Sequence, residues 1–169
     1  MTTSFFKRQE GSLAYTDFGG SGQLVLMFPG MGALRSEYRY LAPAFVEAGF
    51  HAVAVDLRGQ GESSVPWSDY DVPSLGGDIL ALIDHLGADS ANVIGTSKAA
   101  AAVVWASVER MKAVRSLVLI GPFAHQVKIN PIMGGFFWLM RTPPGVFRCG
   151  SNTTARFTPH GSRLTSPNI

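Results

Sequence analysis

Gly95-Thr96-Ser97-Lys98-Ala99 stands between Ala91-Asn92-Val93-Ile94, a short strand-like apolar run, and Ala100-Ala101-Ala102-Val103-Val104-Trp105, which opens an alanine-rich helix. A serine on a sharp strand-to-helix turn holds its hydroxyl at the top of a sheet and at a helix N-terminus, the arrangement of a nucleophile elbow. Ala99 takes the place of the last glycine in the G-x-S-x-G pattern. The string alone is common; the strand before it and the helix after it make it specific. The chemistry such a turn serves is attack of the Ser97 hydroxyl on an acyl carbonyl. The competing reading is structural: Ser97 caps the helix by accepting from a first-turn N–H.

The turn needs a sheet beneath it, and the first two-thirds of the chain alternates strand-like and helix-like segments. Residues 11–18 and 23–28 read as strands, with Gly19-Gly20-Ser21-Gly22 between them suited to a hairpin turn. Residues 34–48 read as one helix, with Tyr38, Leu41, Phe45 and Val46 at near-helical spacing and Gly49 as its stop. A buried-strand run over 51–55 ends at Asp56. Residues 72–86 predict a second helix, with Pro73 in its first turn and Leu75, Ile79, Leu82, Ile83 and Leu86 as its apolar stripe. A strand at 91–94, a helix at 97–110 and a strand at 115–120 follow. This alternation predicts an α/β fold, a mostly parallel sheet of about six strands with right-handed crossovers and helices on both faces. In such sheets chemistry gathers at the carboxyl ends of the strands. Pro29-Gly30-Met31-Gly32, Asp56-Leu57-Arg58-Gly59-Gln60-Gly61 and Gly95-Thr96-Ser97-Lys98 all fall there.

Several of these segments occur together in one family. Phe28-Pro29-Gly30-Met31-Gly32, Asp56-Leu57-Arg58-Gly59-Gln60-Gly61-Glu62-Ser63, the turn at Ser97 and Leu117-Val118-Leu119-Ile120-Gly121-Pro122-Phe123 stand in that order. In this the chain resembles the amino-terminal half of an α/β-hydrolase of the serine hydrolase type, over roughly residues 11–147. By position, the resemblance implies that Ser97 is the nucleophile and that the backbone N–H groups of Lys98 and Met31 hold the oxyanion. Preorganised donors at a helix N-terminus suit that task on physical grounds as well. The resemblance implies hydrolysis of an ester or related acyl bond of a small, fairly apolar molecule, with no metal or organic cofactor. Cofactor-free haloperoxidase or transacylase chemistry on the same elbow is an alternative, as is a non-catalytic remnant acting as a binding module. Asp56 and Arg58 are implied to be structural, holding their loop by backbone and ionic contacts.

A serine nucleophile needs a base, and the base an orienting acid, which in this family follow in the order nucleophile, Asp or Glu, then His. Downstream of Ser97 the only carboxylate is Glu109, about 18 Å along the helix. His51 opens a strand, His85 ends a helix, His160 lies in the tail, and His125 is displaced from the family's base position. The expectation is a nucleophile without acid or base, hence very weak turnover or none. Acidic residues end at Glu109, the alternation of elements fails from about residue 126 and apolar content is low over 151–169, which together lead to the expectation of a truncation or frameshift near residues 144–148, after about residue 147. The strand at 115–120 then becomes an exposed edge open to self-association.

The expected organisation is a hydrolase core over 1–125, the start of a lid over 126–147, where Met133 to Met140 equally suits a core helix, and a disordered tail over 148–169. At 169 residues and 46% hydrophobic, the chain has room for one core. The first 109 residues carry six Lys or Arg against twelve Asp or Glu, and the last 60 carry eight and none. The basic residues of the tail are scattered without an aromatic stacking pattern, so nucleic acid is not an expected partner. No apolar run is long enough to span a bilayer, and the first residues lack the apolar centre of a secretory signal. The single cysteine, Cys149, excludes an internal disulfide, and a cytoplasmic location is the default expectation.

Overall fold

Leu24–Phe28 is buried along its whole length, which demands a strand at each edge and cover on each face. The computed structural model, which describes residues 2–122, provides both. Strands β1 Thr3–Lys7, β2 Ser12–Gly19, β3 Leu24–Phe28, β4 His51–Val55, β5 Ala91–Thr96 and β6 Val114–Ile120 form one sheet in the order β1-β2-β4-β3-β5-β6. The strands from β3 to β6 run parallel, and the β1–β2 and β2–β4 pairings are antiparallel. The helices are α1 Leu41–Glu47, α2 Val72–His85 and α3 Lys98–Glu109. The mostly parallel six-stranded sheet with helices on both faces is therefore the architecture observed.

Alternate side chains of each central strand feed opposite layers. Leu24, Leu26, Phe28, Val53 and Val55 pack with Leu75, Ile79, Leu82 and Ile83 of α2 and with Ala99, Ala102, Val103 and Ala106 of α3. Val25, Met27, Ala52 and Ala54 join Tyr38 and Ala42 on the other face, with Phe45 and Val46 packed against them. Asp71 caps α2, its side chain accepting from Ser74 N–H at 2.9 Å, and Pro73 sits in the first turn. Gly76 lets α2 approach α3, because a Cβ there would stand 2.2 Å from the Trp105 ring.

The sequence reading needs correction in three places. Gly19-Gly20-Ser21-Gly22 is not a hairpin turn, because β2 pairs with β4 and β3 lies on the far side of β4. The glycines serve close passage instead: a Cβ on Gly20 or Gly22 would lie 1.9 or 1.8 Å from the carbonyl oxygen of Phe50 or Gly49. The single helix over 34–48 is broken into a 3-10 turn, Arg35–Tyr38, and α1. Pro43 is the cause, since it cannot donate to the Arg39 carbonyl and its ring would collide with it. β1 is an additional strand; only Phe6 within it is buried, so it carries no alternating signal.

Among the described residues, β6 has a strand neighbour on one side only, and Leu117, Val118 and Ile120 are exposed. No described helix is long and apolar enough to cross a membrane. The expected lid and tail, with His125, Cys149 and His160, lie outside the described residues.

Candidate active site

β3, β4 and β5 are parallel, so the segments that leave them emerge at the same edge of the sheet. β5 ends at Thr96 and α3 begins at Lys98, leaving a single residue, Ser97, for the reversal. Gly95 permits it: a Cβ at that position would stand 2.8 Å from the Ala100 nitrogen and from the Ala99 carbonyl.

Ser97 has φ 57° and ψ −115° and is the only non-glycine residue of positive φ among those described. That backbone lies outside the left-handed helical well, in a region costing about 1–3 kcal/mol. Two bonds hold it: Ser97 N–H donates to the Ile120 carbonyl at 2.8 Å, and its own carbonyl accepts from Ala100 N–H at 3.1 Å. Ser97 occupies the N-cap position of α3, yet its side chain makes no capping hydrogen bond. The structural alternative for this serine thus lacks the bond that would define it.

The turn after β3 lies directly against the elbow. An ideal Cβ on Gly30 would be 3.4 Å from Ser97 Cβ and 3.5 Å from Thr96 Cγ2. Ala33 N–H donates to the Gly30 carbonyl at 3.1 Å and Gly32 has φ 84°, the positive φ that a type II turn requires at its third residue. Gln60 Oε1 accepts from Gly32 N–H. Met31, between these two anchored glycines, is 64% exposed. The Lys98 side chain donates to the Tyr70 carbonyl, linking the first residue of α3 to the segment before α2.

The loop after β4 is held by its own charges. Asp56, 1% exposed, accepts from Arg35 N–H at 2.7 Å, from Glu62 N–H at 3.2 Å and from the Arg35 guanidinium. Desolvation works against the Arg35 charge, but the adjoining Glu62 and Asp56 carboxylates prevail and raise its pKa; the same contact, with Thr3, lowers that of Glu62. A Cβ on Gly61 would fall 2.1 Å from Asp56 Oδ2. Arg58 grips Asp78 of α2 with two bonds of 2.8 Å, donates to the Asp69 carbonyl at 2.8 Å and lies over the Trp67 ring at 4.4 Å. Asp56 and Arg58 thus make the loop-holding contacts expected of them.

The described histidines stand away from the elbow. His51 opens β4 at the opposite end of the sheet, its Nε2 2.9 Å from Asp17 Oδ1. His85 ends α2 and packs 4.6 Å from the Phe6 ring. Glu109 closes α3 at the end remote from Ser97. A groove of about 280 Å³ opens between the 3-10 turn and the Asp56 loop, lined among others by Thr16, Leu34, Arg35 and Glu62; Ser97 is not part of it.

Sequence reasoning passed over Gln60, Thr96 and Tyr38. Tyr38, 2% exposed, donates its hydroxyl proton to the Phe28 carbonyl at 2.8 Å, and its oxygen lies 3.0 Å from Thr96 Oγ1. Burial pushes its pKa up to about 12, the Thr96 hydrogen bond opposing the shift and the Glu37 charge adding to it. A buried tyrosine needs a partner for its hydroxyl, which is the signal that could have singled it out.

The family model for the alpha/beta hydrolase fold matches residues 23–158. Pig bifunctional epoxide hydrolase 2 is 36% identical over 104 residues, 58% of this chain and 19% of that protein. The 3-oxoadipate enol-lactonase 2 of Acinetobacter baylyi is 28% identical over 100 residues, 59% of this chain and 38% of that protein. Among solved structures, an esterase from Exiguobacterium antarcticum superposes with a TM-score of 0.66 at 27% identity, covering 73% of this chain and 46% of the other. The matched region therefore spans less than half the length of each of these proteins.

Proposed function

The chain belongs to the alpha/beta hydrolase fold family, and on that premise we propose that it is a hydrolase of acyl bonds with Ser97 as nucleophile. Ser97 Oγ adds to the acyl carbonyl as its proton passes to a base. The oxyanion is held by the N–H groups of Met31 and Lys98, at the N-terminus of α3. Collapse expels the alcohol and leaves an ester on Ser97, which water cleaves to the free acid. The observation that carries this reading is the Ser97 side chain, raised on a strained elbow and withheld from the helix cap.

Epoxide hydrolysis is a second reading, favoured by the similarity to the pig enzyme. The residue at the elbow weighs against it. A serine oxygen that opens an epoxide becomes an ether, which offers no carbonyl to water and ends the reaction after one event. The same oxygen on an ester or lactone leaves an acyl group that water can remove. The names of the enol-lactonase and the esterase denote such acyl chemistry. Turnover also requires a base and an acid, and no described histidine stands beside Ser97.

Labelling with a fluorophosphonate, followed by intact mass, tests the nucleophile without requiring turnover. Wild type is expected to gain one phosphonyl group and Ser97→Ala none; equal labelling of the two rejects the assignment. Incubation with a p-nitrophenyl ester and, separately, styrene oxide compares the two chemistries. Hydrolysis of the epoxide to the diol, lost in Ser97→Ala, would replace the acyl reading.

A further inference from the structure

We propose that Tyr38 is a positioning residue that fixes the distance between the two halves of the oxyanion site, through the bridge from the Phe28 carbonyl to Thr96 Oγ1. The inference rests on the function proposed above and adds a residue to it. Its starting point is where the sheet stops. The β3–β5 ladder ends at the pair Phe28 and Gly95. Past that pair the chains diverge, one into Pro29-Gly30-Met31 and the other into Thr96-Ser97-Lys98. Each branch carries one proposed donor, and no ladder bond joins the branches there.

Tyr38 spans this gap. It reaches in from the 3-10 turn on the opposite side of the sheet from α2 and α3. The Phe28 carbonyl can only accept, so it takes the single phenolic proton at 2.8 Å. Thr96 Oγ1, at 3.0 Å, then donates to the phenol oxygen. Glu37 Oε1, at 3.3 Å, competes for that same Thr96 proton. One buried hydroxyl thereby ties the last residue before the oxyanion turn to the residue before the nucleophile. The space between the turn and the elbow is no wider than a methyl group, since a Cβ added at Gly30 would stand 3.4 Å from Ser97 Cβ. A few tenths of an ångström of play would therefore alter the separation of Met31 N–H and Lys98 N–H. Donors aimed at an oxyanion must lie within about 2.7–3.1 Å of it, so that play acts on the transition state more than on ground-state binding.

The test uses the full chain and an aryl phosphonate whose labelling of Ser97 saturates, so that reversible affinity and maximal rate are read separately. Tyr38→Phe keeps the ring and removes the bridge; Thr96→Val keeps the Tyr38–Phe28 bond and removes the other arm together with the longer Thr96–Glu37 bond, which Tyr38→Phe leaves in place. Each is expected to lower the maximal labelling rate roughly tenfold, below the full loss of a donor, with reversible affinity unchanged. The double variant should fall no further than the single ones, because both cut one connection. Circular dichroism of each variant confirms folding, and Thr96→Val carries the test if Tyr38→Phe does not fold. Wild-type rates in a folded Tyr38→Phe or Thr96→Val, or an equal fall in affinity and rate, overturn the proposal. Failure of wild type to label above Ser97→Ala removes the proposed function itself and this inference with it, an outcome distinct from the others.

Discussion

Two substitutions at Ser97 separate a serine that builds the helix from one that the helix displays. Ser97→Ala removes the hydroxyl and keeps the Cβ, and with it the strain at φ 57° and ψ −115°. Loss of a capping serine costs about 1 kcal/mol in general. Here the side chain makes no capping bond, so the change in stability should stay within about 0.5 kcal/mol. Ser97→Gly removes the strain as well. Relief of about 1–3 kcal/mol, set against about 0.5–1 kcal/mol for the greater freedom of glycine when unfolded, leaves a net gain near 1 kcal/mol. With a slope of about 1–3 kcal/mol per molar urea, the glycine variant should unfold roughly 0.5 M later than the alanine variant, while neither is labelled by a fluorophosphonate. An alanine variant weaker than wild type by a full 1 kcal/mol would mean that the hydroxyl caps α3 after all. A glycine variant no more stable than the alanine one would remove the strain from the account.

Other elements of the site give equally direct expectations. Gly95→Ala sets a methyl 2.8 Å from the backbone of Ala99 and Ala100; it should cost about 1–3 kcal/mol by pushing α3 off β5, and urea unfolding that matches wild type would show slack in the elbow. Arg58→Lys cannot reproduce the two-pronged grip on buried Asp78 or the stack on Trp67. A loss of about 2–4 kcal/mol is expected in the same assay, and a loss below 0.5 kcal/mol contradicts the scaffolding role of this arginine. Burial holds the Tyr38 phenol protonated up to about 12, whereas an unfolded tyrosine ionises near 10. The native state then binds more protons across that window, so the contribution is whole below about pH 10 and is lost as pH rises through about 12. Wild type should shed roughly 2 kcal/mol more than Tyr38→Phe over those two units; parallel losses in the two proteins refute the shift.

The parts of the fold that could be read from sequence are those whose signal is local. An unbroken apolar run identifies β3 as central, and the stripe of Leu75, Ile79, Leu82 and Ile83 predicts a buried face on α2. The elbow was legible because strand, glycine, serine and helix lie within a few residues of one another. The hairpin expectation failed because the glycines report only that the chain must turn or pass closely. The strand that receives β2 is chosen by a pairing with β4 more than thirty residues away, Tyr15 with Val55 for instance. The break before α1 was written in Pro43, but the apolar spacing around it ran on regardless. In the sequence Tyr38 reads as one more apolar position on that stripe; its reach to Phe28 and Thr96 depends on three separate elements meeting. Gln60 is hidden for the same reason, as its bond to Gly32 joins loops that follow different strands.

Two departures from ordinary helix-start chemistry coincide at Ser97. An N-cap residue normally sits in the extended region and bonds a first-turn amide through its side chain; this one does neither. Abandoning the cap forfeits about 1 kcal/mol and the backbone adds about 1–3 kcal/mol of strain, a sizeable part of a typical stability of 5–15 kcal/mol. Strain of that size persists only where the surroundings over-determine it. They do so here through the Ile120 carbonyl on one side, the Ala100 amide on the other, and a neighbour, Gly95, whose Cβ would not fit. A serine kept only to start α3 would be more stable in extended geometry with its cap made. Displaying a hydroxyl beside the turn at Met31 is the task that accounts for both departures together, and the proposed nucleophile rests on that coincidence more than on the motif.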